Sequence, residues 1–203
     1  LSIKYSIDDS HVFRLGGGNG YRVVNLFTED HAALTGSREV IIKEALKPEQ
    51  SYNINLNYNG IINHSLGITG LDISLFYTYF TNKIIGDFTT DPNKIIYTNL
   101  NGYAISKGIS VNGDFQFMFP LKIIMGATLM DVYSIEKNNG KNIKTPQMHA
   151  PNVSGNFSVS YSIHKHGLTI DYTGKITGPM HLPSLTEPVK KDTEEITFRQ
   201  LPN

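Results

Sequence analysis

Residues 52–59 read Tyr-Asn-Ile-Asn-Leu-Asn-Tyr-Asn, an unbroken alternation of apolar and polar side chains. Successive side chains of an extended strand point to opposite faces. One face therefore carries Tyr52, Ile54, Leu56 and Tyr58, and the other Asn53, Asn55, Asn57 and Asn59. Aliphatic residues bounded by a tyrosine at each end match a strand that crosses a bilayer, with aromatics at the two interfaces. A half-buried soluble strand alternates in the same way, so repetition of the pattern decides between them.

The pattern repeats. Leu71, Ile73, Leu75, Tyr77 and Tyr79 alternate with Asp72, Ser74, Phe76, Thr78 and Phe80. Ile109, Val111, Gly113, Phe115 and Phe117 alternate with Ser110, Asn112, Asp114 and Gln116. Phe157, Val159, Tyr161 and Ile163 face away from Asn156, Ser158, Ser160 and Ser162. Leu168, Ile170, Tyr172 and Ile176 lie opposite Thr169, Asp171, Thr173 and Lys175. The polar set is small and hydrated, as suits a wet interior. A dry sandwich would turn its apolar set inward and favour Lys and Glu outside.

Composition narrows the classes further. The 203 residues balance 18 Lys and Arg against 18 Asp and Glu, which leaves no electrostatic case for nucleic acid. There is no cysteine, hence no disulfide framework and no thiolate metal site. No apolar run approaches the ~18 residues that a transmembrane helix needs. Barrel strands escape such a scan because half of their residues are polar. The first residues, Leu-Ser-Ile-Lys-Tyr-Ser-Ile, show no signal-peptide pattern and start inside an alternating strand, as expected of a piece of a longer chain.

Eight strands are predicted, over 1–7, 11–24, 46–60, 70–86, 96–118, 121–135, 151–164 and 168–178. Their connections alternate between short (8–10, the Pro120 corner, 165–167) and long (25–45, 87–95, 136–150), with 63–69 of moderate length. Residues 28–45 read as a loop with room for a short helical turn. Outer-membrane barrels place short turns on the periplasmic side and long loops outside. The expected fold is therefore all-β: an antiparallel meander of about eight long strands, part of a transmembrane β-barrel.

The run from Arg14 to Phe27 contains Gly18, Gly20, Tyr21 and Arg22 and resembles the Gly-x-Gly-Phe-Arg-x-Pro run of TonB-dependent outer-membrane receptors, particularly those of Bacteroidetes, with Val24 in place of the proline. Leu46-Lys47-Pro48-Glu49-Gln50-Ser51 is similar to the Leu-Lys-Pro-Glu-x-Ser segment that opens the family's next strand. Phe76-Tyr77 to Ile84-Ile85, and Tyr97-Thr98-Asn99 through Lys107-Gly108-Ile109, resemble two later strands. The likeness runs through about Pro183. It implies a partial barrel over 1–183, of the 22-stranded receptor type, with 184–203 an outer loop or truncated tail. It also implies that 25–45, 87–95, 136–150 and the tail face outward, so that strand 1–7 begins and strand 168–178 ends at the outer rim. The partners it implies are the rest of the barrel, a plug domain, the TonB energy-transducing complex reached through an N-terminal region, outer-membrane lipid and a bulky small-molecule ligand, in the bacterial outer membrane.

Several groups invite a chemical reading. Gly16-Gly17-Gly18-Asn19-Gly20 could cradle a phosphate, but a strand rather than a helix follows, which favours close packing within a wall. Glu29, Asp30 and His31 share a long loop and read either as contacts to a metal complex or as a solvated tip. His149, Met180 and His181 lie on other outer loops and either join His31 at the barrel mouth or are ordinary loop polarity. Tyr52, Tyr58, Tyr77, Tyr79, Tyr161 and Tyr172 read as interfacial girdles. Asp72, Asp114 and Asp171 read as isolated lumen charges, and the three Asn-x-Ser matches at Asn63, Asn152 and Asn156 as chance.

No nucleophile–base spacing supports an enzyme, and no cofactor or resident metal is expected. The leading expectation is a segment of a receptor and transporter for TonB-coupled uptake of a bulky scarce nutrient, a metal-siderophore or cobalamin-type ligand. The alternatives are a complete small outer-membrane barrel with an adhesive or structural role, and a soluble all-β binding module.

Overall fold

A computed structural model describes residues 1–23, 39–42, 46–87, 91, 93–138 and 140–182. In chain order the strands are β1 Ser2–Ser6, β2 His11–Arg22, β3 Glu39–Ile42, β4 Glu49–His64, β5 Gly67–Thr81, β6 Ile84–Asp87, β7 Lys94–Asn99, β8 Gly102–Phe117, β9 Leu121–Asn138, β10 Lys141–Pro146, β11 Val153–Ile163 and β12 Leu168–Thr177. Eight of them form one meander in the order β1-β2-β4-β5-β8-β9-β11-β12, all antiparallel, with β10 folded back on the end of β9. Among the described residues β1 pairs only with β2, and β12 only with β11.

The register turns single-strand alternation into continuous rows. Ile3, Leu15, Leu56, Leu75, Ile109, Leu129 and Val153 pair across seven strands as one aliphatic row. The row beside it, on the opposite face, is Lys4, Arg14, Asn57, Ser74, Ser110, Thr128, Ser154 and Thr177. A slip of one residue at any strand would mix the two rows, so the side-chain chemistry fixes the pairing. Aromatics bound the aliphatic band as the sequence suggests. Tyr52 pairs Tyr79 above, Phe13 pairs Tyr58 below, and the Phe13 and Tyr58 rings lie 4.9 Å apart.

The polar face is cross-linked. Arg14 donates to Asn59 Oδ1 (2.6 Å), Asn59 to Asp72, Ser74 to Asp72 (3.3 Å), Asn57 to Ser74 (2.7 Å) and Asn55 to Asn57 (3.3 Å). Asp114 pairs with Lys122 at 3.1 Å. Asp72 and Asp114 are thus tied into the wall rather than isolated, because cross-strand neighbours sit within hydrogen-bond reach. The glycine run belongs to this packing. A Cβ on Gly16 would come 2.4 Å from Asn55 Oδ1, so glycine makes room for the asparagine to lie across the strand.

Sequence and structure part company at the upper end. The predicted strand 70–86 is two strands, β5 and β6, broken at Asn82-Lys83, where Asn82 takes the left-handed φ of 53°. The predicted strand 96–118 is likewise β7 and β8, interrupted at Leu100-Asn101. Part of the expected loop 28–45 is the strand β3, which pairs with β7 in parallel. The expected loop 136–150 contains the β9–β10 hairpin, and the connection near Asn63–Thr69 tightens to the turn Ser65-Leu66. Alternation lapses at both breaks, at Thr81-Asn82-Lys83 and at Thr98-Asn99, but apolar residues resume just beyond each, so each segment reads as one continuous strand.

The wall is a single layer. The buried apolar side chains among the described residues are Ile95, Tyr97, Leu100, Ala104 and Ile105, all where β7 meets the upper end of β8. The large aliphatics of the wall stay exposed; Ile54 is 52% exposed and Leu129 52%. A sandwich module would bury that face against a second sheet. Among the described residues no second sheet covers it.

Candidate functional site

The strand breaks at the upper end gather residues from separate connections. Glu49, at the start of β4, accepts from Ile84 N at 2.8 Å and lies 3.5 Å from Arg22, at the end of β2. Asn99, at the end of β7, clasps Lys47 on both sides: Lys47 N donates to its Oδ1 (2.9 Å), and its amide donates to Lys47 O (3.0 Å) and to Asn82 O (2.7 Å). Lys83 sends its ammonium to Gln147 Oε1 at 2.7 Å. Burial lowers the Lys83 pKa from its usual value, and the charge of Glu49 opposes that shift.

Gln147 leads directly into the next contact. Its backbone is held by Gln147 N donating to Val132 O at 2.8 Å, and Met148 forms a parallel bridge with His181, beyond β12. His149, in the left-handed region at φ 58°, donates from its backbone to His181 O at 2.9 Å. Contacts therefore run from Arg22 to His181 across the whole upper edge of the sheet.

The structure brings His149, Met180 and His181 together, as two Met-His dipeptides, Met148-His149 and Met180-His181, on adjoining segments. Of the motif residues, Arg22, Lys47, Pro48 and Glu49 converge at the strand breaks, and Leu46 precedes them. Gly18 and Gly20 instead line the polar face of β2 beside Asn53 and Ser51, and Tyr21 is an exposed end residue. Glu29, Asp30 and His31 lie outside the described residues. Sequence reasoning missed Asn82, Lys83, Asn99 and Gln147. The signal for the first three was the polar dipeptide Asn82-Lys83 and the asparagines Asn99 and Asn101 on either side of Leu100, where the alternation lapses. Nothing in the sequence points to Gln147. Among the described residues no group of three or more His, Cys, Asp or Glu could hold a metal ion.

Long aliphatic-outward strands, a polar cross-linked opposite face and sorted turn lengths define a wall of a β-barrel that spans an outer membrane. In such a barrel the Ile54 and Leu56 face takes the lipid, and Asn53, Asn55 and Asn57 take the interior. The model of the TonB dependent receptor-like β-barrel family matches residues 1–180, and the chain belongs to that family, whose members are receptors and not enzymes.

Solved structures agree on the fold. The FrpB iron transporter from Neisseria meningitidis (F3-3 variant) matches with a TM-score of 0.68 at 14% identity, over 89% of this chain and 26% of that one. The copper transporter OprC matches with a TM-score of 0.64 at 12% identity, over 88% of this chain and 26% of that one. The pyoverdine outer membrane receptor FpvA from Pseudomonas aeruginosa PAO1 matches with a TM-score of 0.61 at 13% identity, over 89% and 25%. The chain thus spans about a quarter of the length of these proteins. No curated protein matches it.

Proposed function

We propose that this segment supplies wall strands and part of the outer mouth of a receptor that takes up a bulky metal chelate of the siderophore type. In this reading a plug domain fills the barrel, and the TonB complex supplies the energy that displaces it. The observation that carries the choice of ligand is the pairing of Met148-His149 with Met180-His181 at the outer edge. Imidazole groups there would meet a ligand before it enters the polar lumen and could hydrogen-bond the oxygen donors that wrap a ferric ion. The similar solved barrels described as iron, pyoverdine and copper proteins are consistent with a metal-bearing cargo.

The test uses the full-length receptor in detergent, titrated with ferric siderophores and with cobalamin. Binding of a ferric chelate, weakened about tenfold (~1.4 kcal/mol) by His149→Ala with His181→Ala, is the expected result. Binding of cobalamin alone would replace the proposed ligand class. Loss of the gene without any change in uptake of labelled iron would remove the transport reading itself.

A further inference from the structure

We propose that Lys107, Asp131, Tyr133 and Lys144 form a site on the outside of the barrel for the phosphate group of an outer-leaflet lipid. All four lie in the apolar, lipid-facing phase. Lys107 pairs Tyr77 on one side and Asp131 on the other, and Tyr133 pairs Ile105 and Pro146. The Lys144 ammonium stands 3.9 Å from the centre of the Tyr133 ring and 3.3 Å from Asp131 Oδ2. The Lys107 ammonium stands 5.8 Å from the centre of the same ring. Two cations thus flank one phenol and one carboxylate, for a formal charge of +2 − 1 = +1.

Position gives this charge its meaning. The outward residues below it on β9 are Leu121, Ile123, Met125, Ala127 and Leu129, and on β8 Ile109, Val111, Gly113, Phe115 and Phe117, none of them charged. The step from Leu121 to Asp131 is ten residues. At about 3.3 Å per residue and a tilt of about 40°, this climbs about 25 Å, the height of the apolar band. Leu121 follows a short turn, which in such barrels faces the periplasm, so the lysines emerge at the outer leaflet's headgroups. Charge on the lipid face is costly at the midplane and tolerated only near the interfaces. Lys144 is held by Asp131, whereas Lys107 makes no ion pair among the described residues. Lys107 therefore keeps an ammonium for an external anion, and the Tyr133 hydroxyl adds a hydrogen-bond donor. The site opens above the aliphatic pair Ile109 and Leu129, so a phosphate carried on acyl chains gains contacts that a free phosphate does not.

The test measures lipid retained by the full-length receptor in mild detergent, by native mass spectrometry, after addition of bisphosphorylated lipid A or its dephosphorylated form. The wild type should retain the phosphorylated lipid preferentially. The K107Q/K144Q double variant should retain it roughly tenfold less well, K107R/K144R should restore retention, and Asp131→Asn should equal or exceed the wild type. The interior substitution Lys122→Gln should leave retention unchanged. Folding of each variant is read from its heat-dependent gel migration. Equal retention of the dephosphorylated lipid, equal retention by the folded double variant, or an equal loss with Lys122→Gln would overturn the proposal. So would displacement by inorganic phosphate at the affinity of the lipid.

Discussion

The wall and the upper rim obey different rules. In the wall each residue's role follows from its parity: odd positions of β4's partner β5, from Leu71 to Tyr79, meet lipid, and even positions meet the wet interior. At the rim a residue's role follows from contacts made over long sequence distances, such as Lys47 with Asn99 or Lys83 with Gln147. The wall is a periodic structure held by solvent on both sides, whereas the rim is a unique structure held by particular side chains. The wall should accordingly be broken by wrong polarity, and the rim by loss of individual hydrogen bonds.

The largest expected effect tests polarity. Leu75 sits in the middle of the aliphatic row, and Leu75→Arg should destabilise the full-length barrel by about 2–4 kcal/mol, measured by denaturant titration in lipid vesicles. A loss no greater than that of Ser74→Arg on the interior face would show that the two faces do not differ in solvent. Next comes packing within the polar face. A Cβ on Gly126 would come 2.4 Å from Asn112 Oδ1 and 2.8 Å from Asn156 Oδ1. Gly126→Val should cost about 1–3 kcal/mol, and Asn112→Ser in the same chain should recover part of it; strict additivity would refute the contact.

Rim effects should be smaller and local. Asn99→Ala removes three hydrogen bonds to Lys47 and Asn82, and because two of them are exposed and their partners can turn to water, the net loss should be about 1 kcal/mol. Hydrogen exchange should rise at 46–49, 82–87 and 94–99 and stay unchanged at 53–58. A rise spread equally along β4 would mean that rim and wall are one cooperative unit.

The smallest effect concerns pH. Burial lowers the pKa of Lys83 in the folded rim, so the folded state gives up this proton at a lower pH than the unfolded chain does. The cost of burying the charge is present in full below the lowered pKa. Stability then rises with pH between that value and the ordinary lysine value. Lys83→Met should abolish this rise in the thermal midpoint. An unchanged pH profile would assign it to another group.

The sequence exposed the wall almost completely because lipid and lumen impose one two-residue rule on every strand. The apolar sets led by Ile54, Leu75, Ile109 and Val159 each identify a face without reference to any other strand. The rim was legible only as a likeness: Leu46-Lys47-Pro48-Glu49 resembles a family segment, yet the sequence does not say that Asn99 clasps Lys47 or that Glu49 caps Ile84. Those contacts depend on where β5 and β8 break. Polar residues interrupt the alternation at Asn82-Lys83 and at Asn99 and Asn101, but polarity alone does not say that the strand ends there. Of the expected ligand-facing residues, His149, Met180 and His181 proved to be neighbours because two connections meet, a fact invisible in their spacing.

The parallel pairing of β3 with β7 joins two excursions that leave the wall at different places, one after β2 and one after β5. Such a splice works as a mechanical linkage. A load that pulls on either excursion along its strand is shared by the hydrogen bonds between them, and these resist sliding together instead of opening one at a time. Small displacements at one place on the rim would therefore be carried sideways around the opening before they could travel down the wall.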